Sequence, residues 1–271
     1  RPWIEKDRVN SDHIAFNNFW NNDSYQLGSI TCEIRPLSED LLDYFKKEAP
    51  ASKEELPKLQ KLPTLRQYQK DAVNNWFEND GKGIFEMATG TGKTFTAVGC
   101  IKKLETIHDN LLVIISAPYS NLVDQWKQEL SKWHIDSNIL DAGWTKELRQ
   151  EIQVSNKSID KKLSVLICSH AKFARDEFLE IIKKSKIPVM LIVDEAHHVG
   201  AGNTGKDDDG VVVTNGSRKG LSEKYQYRLG LSATIERYFD QDGTDFIRNY
   251  FSGSSGKSTV YTMSLKQAIE Q

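Results

Sequence analysis

Two short segments combine residue types that can bind and cleave a phosphate group. Residues 87–94 read MATGTGKT, and residues 194–197 read DEAH. In the first segment, two glycines let backbone N–H groups face phosphate oxygens, and a lysine and a hydroxyl follow them. In the second segment, one carboxylate can bind a magnesium ion and its neighbour can orient a water molecule. Together the two segments predict hydrolysis of a nucleoside triphosphate.

The first segment lies between a predicted strand and a predicted helix, which is the context that a phosphate-binding loop requires. We expect the loop to bind ATP, with Lys93 acting on the β- and γ-phosphates and Thr94 binding Mg²⁺. The predicted binding residues are Ala88, Thr89, Gly90, Thr91, Gly92, Lys93 and Thr94. The strict pattern has glycine at the position of Met87, and the alternative of a bare glycine-rich turn is disfavoured by the intact Gly-Lys-Thr.

Asp194 ends the apolar segment PVMLIVD, which predicts a buried strand. Its carboxylate should therefore lie at the carboxyl edge of a sheet, where open α/β folds bind ligands. We expect Asp194 to hold Mg²⁺ and Glu195 to be catalytic by orienting the attacking water. A surface pair of acidic residues at a strand end is the alternative.

Predicted strands and helices alternate from residue 65 onward. The predicted strands are Gly83–Met87, Leu111–Ala117, Leu163–Ser169, Val189–Asp194 and Tyr227–Ser232. The predicted helices are Leu65–Glu78 with Thr64 as its cap, Lys93–Ile107, Asn121–Trp133 and Ala171–Lys184. This alternation predicts an α/β fold with a three-layer arrangement, in which helices cover both faces of a parallel sheet.

Three further segments make the chain resemble the first motor domain of a superfamily 2 DEAD/DEAH-type helicase. Residues 65–69 (LRQYQ) resemble the adenine-recognising segment, and residues 117–126 (APYSNLVDQW) resemble the motif that contacts a nucleic-acid backbone. Residues 229–234 (LGLSAT) match the motif that couples hydrolysis to strand movement. The likeness runs from residue 65 to residue 271 and favours the branch of type I and type III restriction enzymes and excision-repair helicases.

The resemblance implies a RecA-like P-loop fold and roles for six more residues. Gln69 would read the adenine ring. The implied nucleic-acid contacts are Ser120 and Asn121, and the implied coupling residues are His197, Ser232 and Thr234. Structural roles are alternatives for most of these residues. Gln69 could be a solvated polar residue, Ser120 and Asn121 could cap a helix, and Ser232 and Thr234 could cap a turn. Ile235 stands where this branch usually has proline.

The resemblance also divides the chain into three parts. Residues 1–63 are a small helical or mixed N-terminal segment with a linker, or else the end of an upstream domain. Residues 64–262 form the RecA-like ATP-binding domain, and residues 263–271 begin the connection to a second motor domain. Because Arg1 opens the chain and the family's arginine fingers come from that second domain, we expect an excerpt that hydrolyses ATP poorly on its own.

Composition narrows the class of protein and its location. The net charge is −2, so any contact with nucleic acid must use a local groove instead of a generally basic surface. No leader sequence or apolar run long enough to span a membrane is recognisable. Three scattered cysteines are too few for a disulfide framework or a zinc site and indicate a cytoplasmic protein, and we expect Cys100 and Cys168 to be buried. Residues 200–220 predict an exposed insertion with a small hairpin, which we favour over a metal site at Asp207–Asp209.

These observations predict an ATP-dependent DNA helicase or translocase motor with ATP and Mg²⁺ as cofactors. It would contact duplex or single-stranded DNA through the backbone, without a membrane partner. Two alternatives stay open. One is the motor of a restriction or defence system whose nuclease lies elsewhere, and the other is an ATP-switched nucleic-acid-binding regulator without motor activity. RNA stays open as a partner because the motifs contact the backbone, and the resemblance to DNA-acting members makes it a weaker alternative than DNA.

Overall fold

Two compact units divide the chain, residues 1–60 and residues 61–271. A computed structural model describes residues 25–27, 30–32, 62–159, 161–200, 205–206, 212–213, 216–237 and 240–269. In the first unit, strands β1 (Tyr25–Leu27) and β2 (Ile30–Cys32) pair antiparallel. Apart from residues 62 and 63, the expected linker lies outside the described residues, as does the start of the expected N-terminal segment.

A parallel sheet forms the centre of the second unit. The strands of this unit are β3 (Lys82–Met87), β4 (Asn110–Ala117), β5 (Ser137–Ile139), β6 (Lys162–Ser169), β7 (Val189–Val193), β8 (Gly205–Lys206), β9 (Val212–Val213), β10 (Tyr227–Ser232) and β11 (Thr259–Met263). Strands β8 and β9 pair with each other. The other seven form one all-parallel sheet in the order β11–β3–β10–β7–β4–β6–β5.

Helices cover both faces of this sheet. They are α1 (Gln67–Glu78), α2 (Lys93–Glu105), α3 (Ser120–Lys132), α4 (Trp144–Lys157), α5 (His170–Phe173), α6 (Asp176–Ile182), α7 (Gln241–Phe251) and α8 (Leu265–Ile269), with 3₁₀-helices at Ala196–Gly200 and Gly216–Gly220. Neighbouring residues in a strand point to opposite faces. Phe85 belongs to the core cluster that includes buried residues of α1, α2 and α3, and Ile84 belongs to the cluster that includes those of α4, α6 and α7. The predicted three-layer α/β fold is confirmed.

The five predicted strands are confirmed, each to within one residue of its predicted ends. The predicted cap Thr64 is wrong, because helix α1 begins at Gln67 with Arg66 as its N-cap. The backbone N–H of Arg66 donates to Gln69 Oε1 at 2.9 Å, which satisfies one group at the helix start.

The single helix predicted over residues 171–184 is two helices, α5 and α6. Arg175 between them has an extended backbone, and α6 restarts with Asp176 and Glu177 in its first turn. Acidic side chains are favourable at a helix N-terminus, so the sequence of the second half starts a helix of its own.

Five helices and strands of the second unit have no counterpart among the predicted ones: α4, α7, α8, β5 and β11. Helix α4 buries Trp144, Leu148 and Ile152 at spacings of four residues, a pattern that is visible in the sequence. Helix α7 begins at a true cap, where the Gly243 N–H donates to Asp240 Oδ1 at 2.8 Å. Strand β5 has only three residues, too few for a clear pattern.

Several smaller expectations can be compared with the structure. The β8–β9 pair confirms a small hairpin in the insertion, whereas Asp207–Asp209 lie outside the described residues. Cys100 and Cys168 are buried free thiols, as expected. Within the described ranges, no helix has the length and apolar character needed to cross a bilayer, and no cluster of three or more His, Cys, Asp or Glu side chains could hold a metal ion.

Removing a side chain from the sheet should destabilise the second unit much more than the same change at its surface. Ile114 of β4 is 0% exposed, whereas Ile107 is 51% exposed. We expect Ile114→Ala to lower the free energy of unfolding by about 2–5 kcal/mol, because it leaves a cavity between close-packed layers. Ile107→Ala should cost less than about 1 kcal/mol. Urea denaturation measures both values, and equal losses would contradict this packing.

Candidate functional site

The glycine-rich loop connects the carboxyl end of β3 to the first turn of α2. Gly90 and Gly92 have φ angles of 84° and 80°, in the left-handed region that favours glycine. A Cβ atom at Gly92 would lie 2.6 Å from Gln69 Nε2, closer than atoms can pack. The Thr91 N–H and Oγ1 both donate to the Ala88 carbonyl, at 3.3 and 2.7 Å. The loop is thus a tight turn held by its own bonds.

Lys93 lies at the first position of α2 and folds back over the loop. Its Nζ donates to the Met87 carbonyl at 3.0 Å, which places a positive charge against the loop backbone. The helix N-terminus also carries unpaired N–H groups and the positive end of the helix dipole. Thr94 follows Lys93, and both residues line the same cleft. This combination of groups can bind an anion such as a phosphate.

Asp194 and Glu195 follow directly after β7. The Asp194 N–H donates to the Ser116 carbonyl at 2.8 Å, which extends the strand pairing with β4 by one residue. Burial raises the pKa of Asp194 above its ordinary value, although the hydrogen bond from Trp126 opposes this effect. Glu195 has a φ angle of 44°, a strained conformation for a residue with a side chain. Such strain in a cleft is typical of functional sites.

One cleft of about 310 Å³ is lined by both motifs and by helix α3. Its lining residues are Thr89, Gly90, Gly92, Lys93, Thr94, Phe95, Leu122, Gln125, Trp126, Glu129, Asp194 and Glu195. The structure therefore brings the glycine-rich loop together with the two carboxylates. Sequence reasoning missed the α3 contribution, although residues three or four positions apart share one helix face.

His197 connects the acidic pair to the segment after β10. Its Nδ1 lies 2.9 Å from Ser232 Oγ and 3.4 Å from Glu195 Oε2. Because the Ser232 hydroxyl donates its proton to the Thr234 carbonyl, Nδ1 of His197 carries the proton of the ring. Burial, followed by the nearby His198, Arg237 and Lys93, lowers the pKa of His197 to about 4. The ring is therefore neutral at pH 7.

Thr234 contributes to this contact only through its backbone carbonyl, and its side chain is exposed. Ile235 is buried, and its N–H lies 3.4 Å from Glu86 Oε1, a bond that proline could not form. The guanidinium of Arg237 donates to the His197 carbonyl and to Asp240 Oδ2. Sequence reasoning did not assign Arg237 this contact, since its partner is 40 residues away in the chain.

Gln69 is buried beside the loop and does not line the cleft. Its Nε2 lies 3.4 Å from the Gly92 carbonyl. The preceding residue, Tyr68, also contacts the loop, since its hydroxyl donates to the Thr91 carbonyl at 2.8 Å. Helix α1 therefore supports the loop from behind, and adenine recognition by Gln69 stays a prediction.

Ser120 and Asn121 are the first two residues of α3, and both are exposed. Neither lines the cleft. The N-cap of α3 is Tyr119, whose side chain makes no capping hydrogen bond. Because Ser120 and Asn121 are exposed, a partner could reach both side chains, and nucleic-acid contact stays a prediction.

His170 and Ser116 form a buried pair behind Asp194 that sequence reasoning missed. Ser116 Oγ lies 2.6 Å from His170 Nδ1. Burial, together with the charges of His198 and His197, lowers the pKa of His170 to about 3, although a contact with the Asp194 backbone opposes them. A neutral histidine thus packs beside the strand end that carries Asp194.

Residues 62–237 match the family described as Type III restriction enzyme, res subunit. Among curated proteins, the chain is 30% identical over 152 residues to the ISWI chromatin-remodeling complex ATPase ISW2 of Saccharomyces cerevisiae, covering 54% of this chain and 13% of that protein. It is 25% identical over 212 residues to the type I restriction enzyme EcoAI endonuclease subunit of Escherichia coli, covering 76% and 22%. The chain thus spans less than a quarter of these relatives.

A solved structure with a similar fold is a nuclease-deletion mutant of the type ISP restriction-modification enzyme LlaGI in complex with a DNA substrate mimic. The TM-score is 0.55 at 20% sequence identity. The match covers 76% of this chain and 18% of that chain. At this identity the likeness supports the fold of the parallel sheet and its helices.

The lowered pKa of His197 should be visible both in its titration and in the stability of the protein. The folded-state pKa of about 4 lies below the ordinary value of about 6.5, so the unfolded chain binds more protons between these values. Stability from the neutral ring is therefore complete above about pH 6.5 and is lost as the pH falls toward 4.

NMR of the histidine ring protons, assigned by comparison with His197→Asn, measures the titration directly. We expect a midpoint near 4 for His197, and a smaller loss of unfolding free energy between pH 6.5 and 4 in His197→Asn than in wild type. A midpoint near 6.5 would show that the ring is not desolvated as described.

Proposed function

Because the chain belongs to the family of the type III restriction enzyme res subunit and is a helicase-family ATPase motor domain, we propose that it uses Mg²⁺-ATP hydrolysis to move along DNA. The main support for this proposal is that the glycine-rich loop and the two carboxylates line the same cleft. Phosphoryl transfer needs little more from a protein than positioning and charge stabilisation, and these groups can supply both.

The residues of the cleft fit a magnesium-bound triphosphate. The loop offers backbone N–H groups and the ammonium of Lys93 to phosphate oxygens. Thr94 and Asp194 offer a hydroxyl and a carboxylate, the oxygen ligands that Mg²⁺ prefers. When bound, Mg²⁺ would neutralise part of the charge on the phosphate oxygens. Gln69 would add contact with the adenine ring.

Lys93 and Glu195 would have different roles in hydrolysis. Lys93 would stabilise the negative charge that develops on the phosphoryl oxygens. Glu195 would orient the attacking water from the opposite side of the cleft. His197 lies 3.4 Å from Glu195 and 2.9 Å from Ser232, so we propose that these contacts couple the state of the nucleotide to the segment after β10.

The similar proteins indicate DNA as the polymer. The curated relatives include a chromatin-remodeling ATPase and a restriction endonuclease subunit, and the LlaGI structure contains a DNA substrate mimic. The exposed polar side chains of Ser120 and Asn121 begin α3, where they could contact a phosphate backbone. Contacts of this kind hold a strand without reading its sequence, as a motor requires.

A restriction or defence system is a second candidate for the biological setting. It is favoured by the family match and by the likeness to the EcoAI subunit. In this setting a nuclease and a second motor domain would belong to the whole protein, since the chain spans only 22% of that relative. The second motor domain would supply the arginine fingers, so residues 1–271 alone should hydrolyse ATP poorly.

Two substitutions in the full-length protein should separate nucleotide binding from hydrolysis. Lys93→Ala removes the phosphate-binding charge, so we expect weaker nucleotide binding and a loss of ATP turnover of about 100-fold or more. Glu195→Gln keeps the shape of the side chain but removes its charge, so nucleotide binding should persist while turnover falls about as far. Steady-state ATP hydrolysis and the binding of a fluorescent ATP analogue measure the two effects.

Matched controls are available on the exposed face of α4, where Lys146→Ala and Glu147→Gln make the same chemical changes away from the cleft. Both control variants should hydrolyse ATP like wild type. Normal turnover in both Lys93→Ala and Glu195→Gln would end the proposed function.

A further inference from the structure

Trp126 joins helix α3 to the carboxylate of Asp194 through a buried hydrogen bond. The indole Nε1–H donates to Asp194 Oδ2 at 2.8 Å. Trp126 is 1% exposed and Asp194 is 8% exposed, so water competes little for this bond. The two residues are 68 positions apart in the chain, and the packing of α3 against the sheet brings them together.

The Trp126 bond determines how the Asp194 carboxylate faces the cleft. The Asp194 carboxylate also accepts a hydrogen bond from the backbone N–H of Glu195, which lies 3.0 Å from Oδ1. A bond from the adjacent residue moves with Asp194 and constrains it only locally. The indole belongs to a separate, packed helix and therefore fixes Oδ2 relative to the cleft wall. Each carboxylate oxygen still has a lone pair free for a metal or for metal-bound water.

Two other buried tryptophans show that packing alone does not require this bond. Trp133, seven residues further along the chain, packs edge-on against Phe95 at 5.7 Å. Its buried Nε1 has no hydrogen-bond partner in the part of the chain that the structure describes. Trp76 donates to the backbone carbonyl of Arg228 at 3.0 Å, which is an ordinary structural contact. Trp126 differs from both because its partner is a carboxylate that lines the nucleotide cleft.

We propose that Trp126 is a positioning residue for the magnesium site and that it acts by aiming the Asp194 carboxylate at the metal. This inference rests on the proposed function, in which Asp194 holds Mg²⁺. Hydrogen-bond donors behind a metal-binding carboxylate orient it, and losing such a donor weakens metal affinity or activity by about 10–100-fold. Without Trp126, the Asp194 carboxylate would lose its fixed direction.

Trp126→Phe in the full-length protein tests the inference, because it removes the N–H donor and keeps an aromatic ring. We expect the Mg²⁺ concentration that gives half-maximal ATP hydrolysis to rise about tenfold. Nucleotide binding in EDTA should match wild type, since Lys93 and the loop are unchanged. An unchanged magnesium requirement would overturn the inference, because a purely structural tryptophan would alter stability only.

Trp133→Phe is the matched control. It makes the same change at the C-cap of α3 but removes an N–H that has no partner among the described residues. The magnesium requirement of Trp133→Phe should equal that of wild type. An equal rise in both variants would assign the effect to ring packing and would also overturn the inference.

Folding of each variant is checked by circular dichroism, and Trp126→Met replaces Trp126→Phe if the latter does not fold. Methionine is flexible enough to fill an irregular space but has no donor, so the same outcomes apply. The unmodified protein offers a further test with ¹⁵N-labelled tryptophan. Paramagnetic Mn²⁺ with ATP should broaden the Trp126 indole N–H signal, assigned by its absence from the spectrum of Trp126→Phe, more strongly than any other indole signal. A Trp126 signal that stays sharp, or that broadens less than another indole signal, would overturn the inference.

Measurements on the wild-type protein distinguish failure of the Trp126 inference from failure of the proposed function. If wild type hydrolyses ATP only with Mg²⁺ and Trp126→Phe has the same requirement, this inference alone fails. If wild type shows no Mg²⁺-dependent hydrolysis, the proposed function fails and the inference fails with it.

Discussion

The parallel pairing of β3, β10 and β7 is the constraint on which the site depends. Gly230 of β10 is in register with Val193, the last residue of β7, and Ser232 is in register with Glu86 of β3. Because the three strands end at the same edge, the glycine-rich loop, the serine and the acidic pair meet there. A single change of strand order would separate the groups that line the cleft.

Buried and partly buried hydrogen bonds then fix the polar side chains within this edge. Trp126 holds Asp194, and His197 meets Ser232 while its own carbonyl accepts from Arg237. A hydrogen bond to a charged group contributes roughly 1.5–3 kcal/mol, and a buried partner that is left unpaired costs more than the bond contributes. The site is therefore held by contacts from α3, β10 and the segment after it, in addition to the two motifs.

The features that the sequence predicts best are those that depend on residues close together in the chain. The glycine-rich loop must contain glycine at positive φ, and the central strands are long apolar runs, so both were recognisable without a structure. The bonds of Trp126 and Arg237 were not, because their partners are chosen by packing between distant segments. The cap at Thr64 failed for a related reason, since Gln69 satisfies the backbone of Arg66 and moves the helix start. The apolar spacing of helix α4 is also visible in the sequence, although no helix was predicted there.

We propose that nucleotide hydrolysis at this sheet edge serves movement on DNA, and the most direct test is the dependence of hydrolysis on a polymer. Steady-state ATP hydrolysis by the full-length protein would be measured without nucleic acid and with duplex DNA, single-stranded DNA or RNA. We expect DNA to stimulate hydrolysis strongly and RNA to stimulate it much less. Hydrolysis that no polymer stimulates would contradict movement on DNA and would favour a nucleotide-switched regulator in place of a motor.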